Sequence, residues 1–133
     1  MATALVEGDE DLQRRVRQHR ERRPGAWGTL EIGDLDEVLK AARRWDAVLL
    51  DSLTLWVSAR EERAPAEFDR FLAGAGDLSV PLVLVSDEVG LGVVPESEDG
   101  RRFRDELGLI NQRAAAAAEE VHLCVAGVGI RIK

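Results

Sequence analysis

The stretch Ala47-Val48-Leu49-Leu50-Asp51 decides the fold. Its apolar residues follow one another without the polar alternation of a strand that faces water, which is typical of a strand buried on both faces of a parallel sheet. A carboxylate closes the run at the point where the chain would leave the sheet. The sequence therefore predicts a parallel α/β fold with Asp51 at the carboxyl end of a strand.

Other segments on both sides of this strand fit the same architecture. Residues 80–86 form a second apolar run, predicted as another buried strand, and residues 120–126 predict a third strand with residues 128–133 as its hairpin partner. Helical spacing of apolar residues follows the capping residue Asp34, and Pro65 opens a helix predicted over residues 64–73. Strands that alternate with helices predict a single α/β domain over residues 1–133, with a mainly parallel sheet and flanking helices.

Composition excludes several classes of protein. Apolar residues make up 45% and charged residues 32% of the chain, a balance typical of a globular domain. The net charge of −7 argues against nucleic acid as a partner, because a phosphate backbone would be repelled. We expect a cytoplasmic protein without a membrane segment, since neither a long apolar run nor a signal pattern is present. The only cysteine, Cys124, lies in an apolar run and is predicted to be buried.

Asp51 has two interpretations. In open α/β sheets, ligands bind just outside the carboxyl ends of the strands, where a carboxylate could hold a magnesium-bound phosphate. Asp is also a good N-cap, so Asp51 could instead cap the helical segment that follows. The sequence alone leaves both interpretations open.

A basic segment precedes these strands. Residues 14–23 carry six arginines against one glutamate, so a local positive field stands in an acidic chain and attracts anions. His19 lies among these arginines and could contact a phosphate or act as the nucleophile that takes up a phosphoryl or nucleotidyl group. The same histidine shares helical spacing with Leu12 and Val16, which equally predicts a packed residue on an apolar face.

A set of short motifs, in a fixed order, extends along the chain. Together they resemble the bifunctional adenosylcobinamide kinase/adenosylcobinamide-phosphate guanylyltransferase family of cobalamin biosynthesis. The motifs are Ala2-Thr3-Ala4, residues 19–24 with Trp27, Thr29 and Glu31, residues 49–56, residues 88–90 and 92–95, residues 101–105, Gly108, Asn111-Gln112 and a terminal Gly-x-x-x-Lys.

The resemblance implies a P-loop NTPase-like (RecA-like) fold and a cytoplasmic enzyme assembled as a homo-trimer. It implies that adenosylcobinamide is phosphorylated with a nucleoside triphosphate such as ATP, and that GMP from GTP is then transferred to that phosphate. The histidine that carries GMP in the family matches His19. Arg20 and Arg23 would offset the charge on the phosphoryl oxygens, and Asp51 would hold Mg²⁺ directly or through water. Glu31 also matches a nucleotide-binding position.

The chain departs from the family at its start. The family begins with a strand, a Gly-rich loop of the form GGxRSGKS and a helix, and this sequence contains none of them. One hypothesis is that the natural protein extends about 35 to 40 residues upstream, enough for a strand, loop and helix. Kinase activity is expected only with that loop. The alternative is an inactive remnant, or a non-catalytic nucleotide-binding or structural α/β domain.

Overall fold

A four-stranded parallel sheet forms the centre of the fold. The computed structural model describes residues 1–4, Arg14, Arg17, Gln18, Glu21 and 24–133. Its strands lie in the order β2-β1-β3-β4, so that β1 and β3 are internal. Their bounds are β1 (Ala2–Ala4), β2 (Leu30–Ile32), β3 (Val48–Asp51) and β4 (Leu82–Val85). The mixed α/β class with a parallel sheet and flanking helices is thereby confirmed.

Four helices flank this sheet in the part of the chain that is described from residue 24 onward. They are α1 (Leu35–Ala42), α2 (Leu53–Arg60), α3 (Ala64–Ala75) and α4 (Glu98–Ala117). The cap predicted at Asp34 is confirmed: its side chain accepts from the Asp36 amide, and the Glu37 carboxylate accepts from the Asp34 amide in return. Among the described helices, none has the length and apolar character needed to cross a membrane.

Helix α3 is longer than predicted. It continues through Gly74 to Ala75 instead of ending at Ala73. A β-carbon built on Gly74 would lie 2.6 Å from Leu39 Cδ1 of α1. Gly74 therefore serves close helix packing, and the helix ends two residues later than the glycine suggested.

The apolar core lies on one face of the sheet. Alternate residues of β2 and β3, such as Ile32 and Leu50, point to this face and are almost fully buried. The helices cover it with Trp56, Phe68 and Phe71, and the two phenylalanine rings lie 5.9 Å apart between centroids. Leu107 and Ile110 of α4 close the same cluster.

The opposite face is more open, which corrects one prediction. Residues 80–86 were expected to form a strand buried on both faces, yet Val83 is 51% and Val85 37% exposed. Within the described residues the core takes up the alternate residues Val80, Leu82 and Leu84 of this run, and β4 has a neighbour on one side, β3. Strand β4 is therefore an edge strand with one covered face.

The chain from residue 122 forms a separate antiparallel hairpin of β5 (His122–Val125) and β6 (Val128–Arg131). The hairpin itself was predicted, and Ala126 and Gly127 adopt the positive φ values, 51° and 80°, that a tight two-residue turn requires. Its strands do not join the parallel sheet. Cys124 is exposed, contrary to the prediction, because the hairpin is not covered by the core of the domain.

The position of the core on one face of the sheet leads to a prediction about stability. Replacing the fully buried Phe71 by alanine should lower the free energy of unfolding by about 3 to 5 kcal/mol, because the ring leaves a cavity among α1, α3 and α4. The control is Leu109→Ala, 39% exposed on α4, which should cost about 0.5 kcal/mol. Urea unfolding of both variants measures the difference, and equal losses would contradict this account of the core.

Candidate active site

Asp51 ends β3 at the carboxyl edge of the sheet and is half-buried. The parallel register pairs Asp51 with Val85 and Glu31 with Thr3, and the Ala2–Leu50 pairing continued by one residue brings Thr3 beside Asp51. Glu31 and Asp51 therefore lie in one row, two strands apart, with their backbones about 10 Å from each other. Both belong to the face opposite the core, so the fold brings the two sequence-predicted carboxylates to the same surface.

The cap of α2 is Ser52, which shows that the interpretation of Asp51 as the helix cap is wrong. Ser52 Oγ accepts from the Leu55 amide at 3.3 Å, so the helix does not use the Asp51 carboxylate as its cap. The peptide bond that joins Asp51 to Ser52 is cis. Throughout the described part of the chain, no side chain forms a hydrogen bond or ion pair with the Asp51 carboxylate. This carboxylate is consequently free to bind a ligand.

A polar network lies next to Asp51, beyond the end of β4. Ser86 Oγ donates to Asn111 Oδ1 at 2.6 Å, and Asn111 Nδ2 donates to the Asp87 carbonyl oxygen at 3.1 Å. The Asp87 amide donates to Thr54 Oγ1 at 2.9 Å. The network joins α2, β4 and α4 at the carboxyl edge. The sequence marks Asn111 only as part of the motif Asn111-Gln112, since its hydrogen-bond partners lie far away in the chain.

The residues of the predicted basic segment are described only in part. His19, Arg20 and Arg23 lie outside the described residues, so their predicted roles stay predictions. Arg14, Arg17, Gln18 and Glu21 are helical and exposed, in agreement with the helix expected for this segment.

A second basic cluster, Arg101, Arg102 and Arg104 on α4, forms hydrogen bonds and ion pairs within the chain. Arg101 Nη1 donates to the carbonyl oxygens of Pro95 and Glu96 at 3.1 and 2.6 Å. Arg102 pairs with Asp99 at 2.9 Å, and Arg104 pairs with its neighbour Asp105 at 2.8 Å. These arginines fix the start of α4 and the loop before it. Arg101 and Arg102 also line a shallow surface concavity in that region.

The described residues contain no group of three or more His, Cys, Asp or Glu side chains able to hold a metal ion. Asp51 is thus a single hard oxygen donor at the sheet edge. Magnesium is commonly held by one or two carboxylates together with substrate phosphates and water, instead of by a complete protein cage. The donor set at Asp51 suits an ion that arrives with a nucleotide.

The separate roles of Asp51 and Ser52 can be tested by stability. Ser52→Ala should lower the free energy of unfolding by about 1 kcal/mol, because the Leu55 amide loses its partner. Asp51→Asn should change it by about 0.5 kcal/mol at most, since the carboxylate supports no structural contact. Urea unfolding measures both, and a large loss for Asp51→Asn would give that residue a structural role.

Comparison with known proteins shows the family of the chain. The family model described as cobinamide kinase / cobinamide phosphate guanyltransferase matches residues 1–132. The chain is 37% identical over 145 residues to the bifunctional adenosylcobalamin biosynthesis protein CobU of Escherichia coli (strain K12), which covers 94% of this chain and 80% of that protein. It is 37% identical over 140 residues to the bifunctional adenosylcobalamin biosynthesis protein CobP of Pseudomonas aeruginosa, which covers 100% of this chain and 80% of that protein. The chain therefore belongs to the cobinamide kinase / cobinamide phosphate guanyltransferase family.

Proposed function

We propose that this protein is a guanylyltransferase that moves GMP from GTP to adenosylcobinamide phosphate in cobalamin biosynthesis. The observation that carries the proposal is the family match over residues 1–132, joined to an unengaged Asp51 at the carboxyl edge of a parallel sheet. That position is where open α/β sheets bind their ligands. The same placement supports a P-loop NTPase-like fold built as one domain over residues 1–133.

In this proposal His19 is the catalytic nucleophile. A neutral imidazole nitrogen attacks the α-phosphorus of GTP, the bond to the bridging oxygen breaks, and pyrophosphate leaves. The proton on the other ring nitrogen, the single N–H of the neutral imidazole, passes to solvent as the phosphorus–nitrogen bond forms. A phosphate oxygen of the acceptor then attacks the same phosphorus, the phosphorus–nitrogen bond breaks, and the ring takes a proton back from solvent, which restores the neutral imidazole.

Two arginines beside the nucleophile complete the phosphate site in this proposal. Arg20 and Arg23 carry permanently charged guanidinium groups whose planar forks match phosphoryl oxygens. Their contribution is the stabilisation of negative charge that builds up on the α-phosphate during each transfer. The support for them is their place in the sequence next to His19.

Asp51 holds Mg²⁺ in this proposal, directly or through a water molecule. When bound, the ion neutralises charge on the nucleotide phosphates. The fit rests on the hard carboxylate oxygens and on their freedom from any cap or ion pair among the described residues. Glu31, exposed on the same face about 10 Å away, contacts the nucleotide farther from the ion.

The relatives are named bifunctional, and in this proposal the kinase half of that activity uses ATP as donor and depends on a Gly-rich phosphate loop. We also propose a homo-trimer. Large apolar side chains are well exposed in three places, Val83 on the edge strand, Val93 in the following loop and Ile130 in the hairpin, and such surfaces favour association.

The histidine assignment predicts a covalent label. Incubation with α-labelled GTP and magnesium should leave label on the protein, and His19→Ala should abolish it, because the proposal places the phosphoramidate on that imidazole. The chain offers a matched control in its second histidine, His122, which lies in the exposed hairpin beside Glu120. His122→Ala should keep the full label. Label that survives in His19→Ala, or no label on the natural sequence, would refute the proposed mechanism.

The role of Asp51 predicts a loss of labelling rate. Asp51→Asn should slow the uptake of label from α-labelled GTP at least about tenfold at limiting magnesium, since the amide is a weaker ligand than the carboxylate. The matched control is Asp46→Asn, an exposed carboxylate on the opposite, amino-terminal side of β3. Equal rates in the two variants would remove Asp51 from the site.

A further inference from the structure

Asn111 joins α4 to the segment that follows β4 through an amide whose orientation is fixed by its partners. The Asp87 carbonyl oxygen can only accept a hydrogen bond, so the nitrogen of the Asn111 amide must face it. The amide oxygen therefore faces Ser86, whose hydroxyl donates to it at 2.6 Å. Both halves of this side chain are used, and both hold the segment that leaves β4.

The segment 86–88 is fixed next to Asp51 as a result. Val85 pairs with Asp51 in the sheet, so Ser86 is the first residue beyond the partner of that carboxylate. The Asp87 backbone is held at both of its polar groups, the N–H by Thr54 and the carbonyl by Asn111, so the peptide bonds on both sides of this residue are fixed. The exposed side chains of Asp87 and Glu88 are therefore presented from a backbone of defined position.

This network is suited to positioning more than to stability. Asn111, Ser86 and Thr54 are half-buried and Asp87 is exposed, so water can replace each lost hydrogen bond. Helix α4 is already attached to α3 by Arg113, which donates to both carboxylate oxygens of Asp69 at 2.9 Å and to the Pro65 carbonyl oxygen. Attachment of α4 to the domain thus does not depend on Asn111.

We propose that Asn111 is a positioning residue for the guanylyl transfer, acting through the 86–88 segment on the carboxyl edge that contains Asp51. The catalytic half of this inference, that Asn111 assists the transfer of GMP, rests on the proposed function. Its structural half, that Asn111 fixes the Asp87 backbone, can be tested on the protein without any ligand.

The test uses an isosteric variant and a control on the same helix. Asn111→Asp still accepts from Ser86 but loses the N–H that the Asp87 carbonyl needs, and Ser86→Ala removes only the other hydrogen bond. Asp69→Asn weakens the tie between α3 and α4 away from the sheet edge. We measure hydrogen exchange of the peptide covering residues 82–91 without nucleotide, and kcat and KM for GTP in the full transfer reaction.

Asn111→Asp should speed exchange in residues 86–88 and lower kcat at least about tenfold with KM changed far less, as is usual when an outer-shell partner is lost. Ser86→Ala should give a smaller fall in kcat, and Asp69→Asn should lower Tm while kcat stays unchanged. The proposal is overturned if Asn111→Asp behaves like Asp69→Asn, with a lower Tm and the natural kcat. If the natural sequence itself transfers no GMP, the proposed function fails, and with it the catalytic half, while the exchange result still decides the structural half.

Discussion

Parallel pairing of β3 with β1 on one side and β4 on the other is the constraint on which the site depends. Because all four strands run in the same direction, their carboxyl ends meet at one edge, and residues distant in sequence reach the same row. Asp51 and Glu31 are two strands apart for this reason alone. Main-chain hydrogen bonds, instead of side-chain contacts, set the spacing between the backbones of these two residues, so that spacing is insensitive to most side-chain changes elsewhere.

What could be read from the sequence was local. The run that ends at Asp51, the capping box at Asp34 and the hairpin turn at Gly127 each depend on residues a few positions apart, and the structure agrees with all three. The choice between Asp51 and Ser52 as the cap of α2 could not be made, since both residue types are good caps and stand side by side. Only the geometry of the Ser52 hydroxyl decides it.

What could not be read depends on distant parts of the chain. An apolar run such as residues 80–86 is compatible with a strand covered on one face or on both, because the elements that cover it come from distant parts of the sequence. The same reason explains Cys124, whose apolar neighbours suggested burial in a hairpin that lies outside the core. The network of Ser86 and Asn111 joins positions 25 residues apart, a pairing that no local pattern encodes.

The last residue of the hairpin segment has an effect on the far end of α4. Lys133 Nζ donates to the carbonyl oxygens of Ala115 and Ala116 at 2.9 and 3.0 Å, and the final carbonyls of a helix otherwise lack partners. The alanine-rich end of α4 has no glycine at its C-terminus. The Lys133 ammonium group caps the helix instead, from a residue outside it. Fraying of the final turn and detachment of the β5–β6 ribbon are therefore coupled, since either movement takes the Lys133 ammonium away from these two carbonyl oxygens.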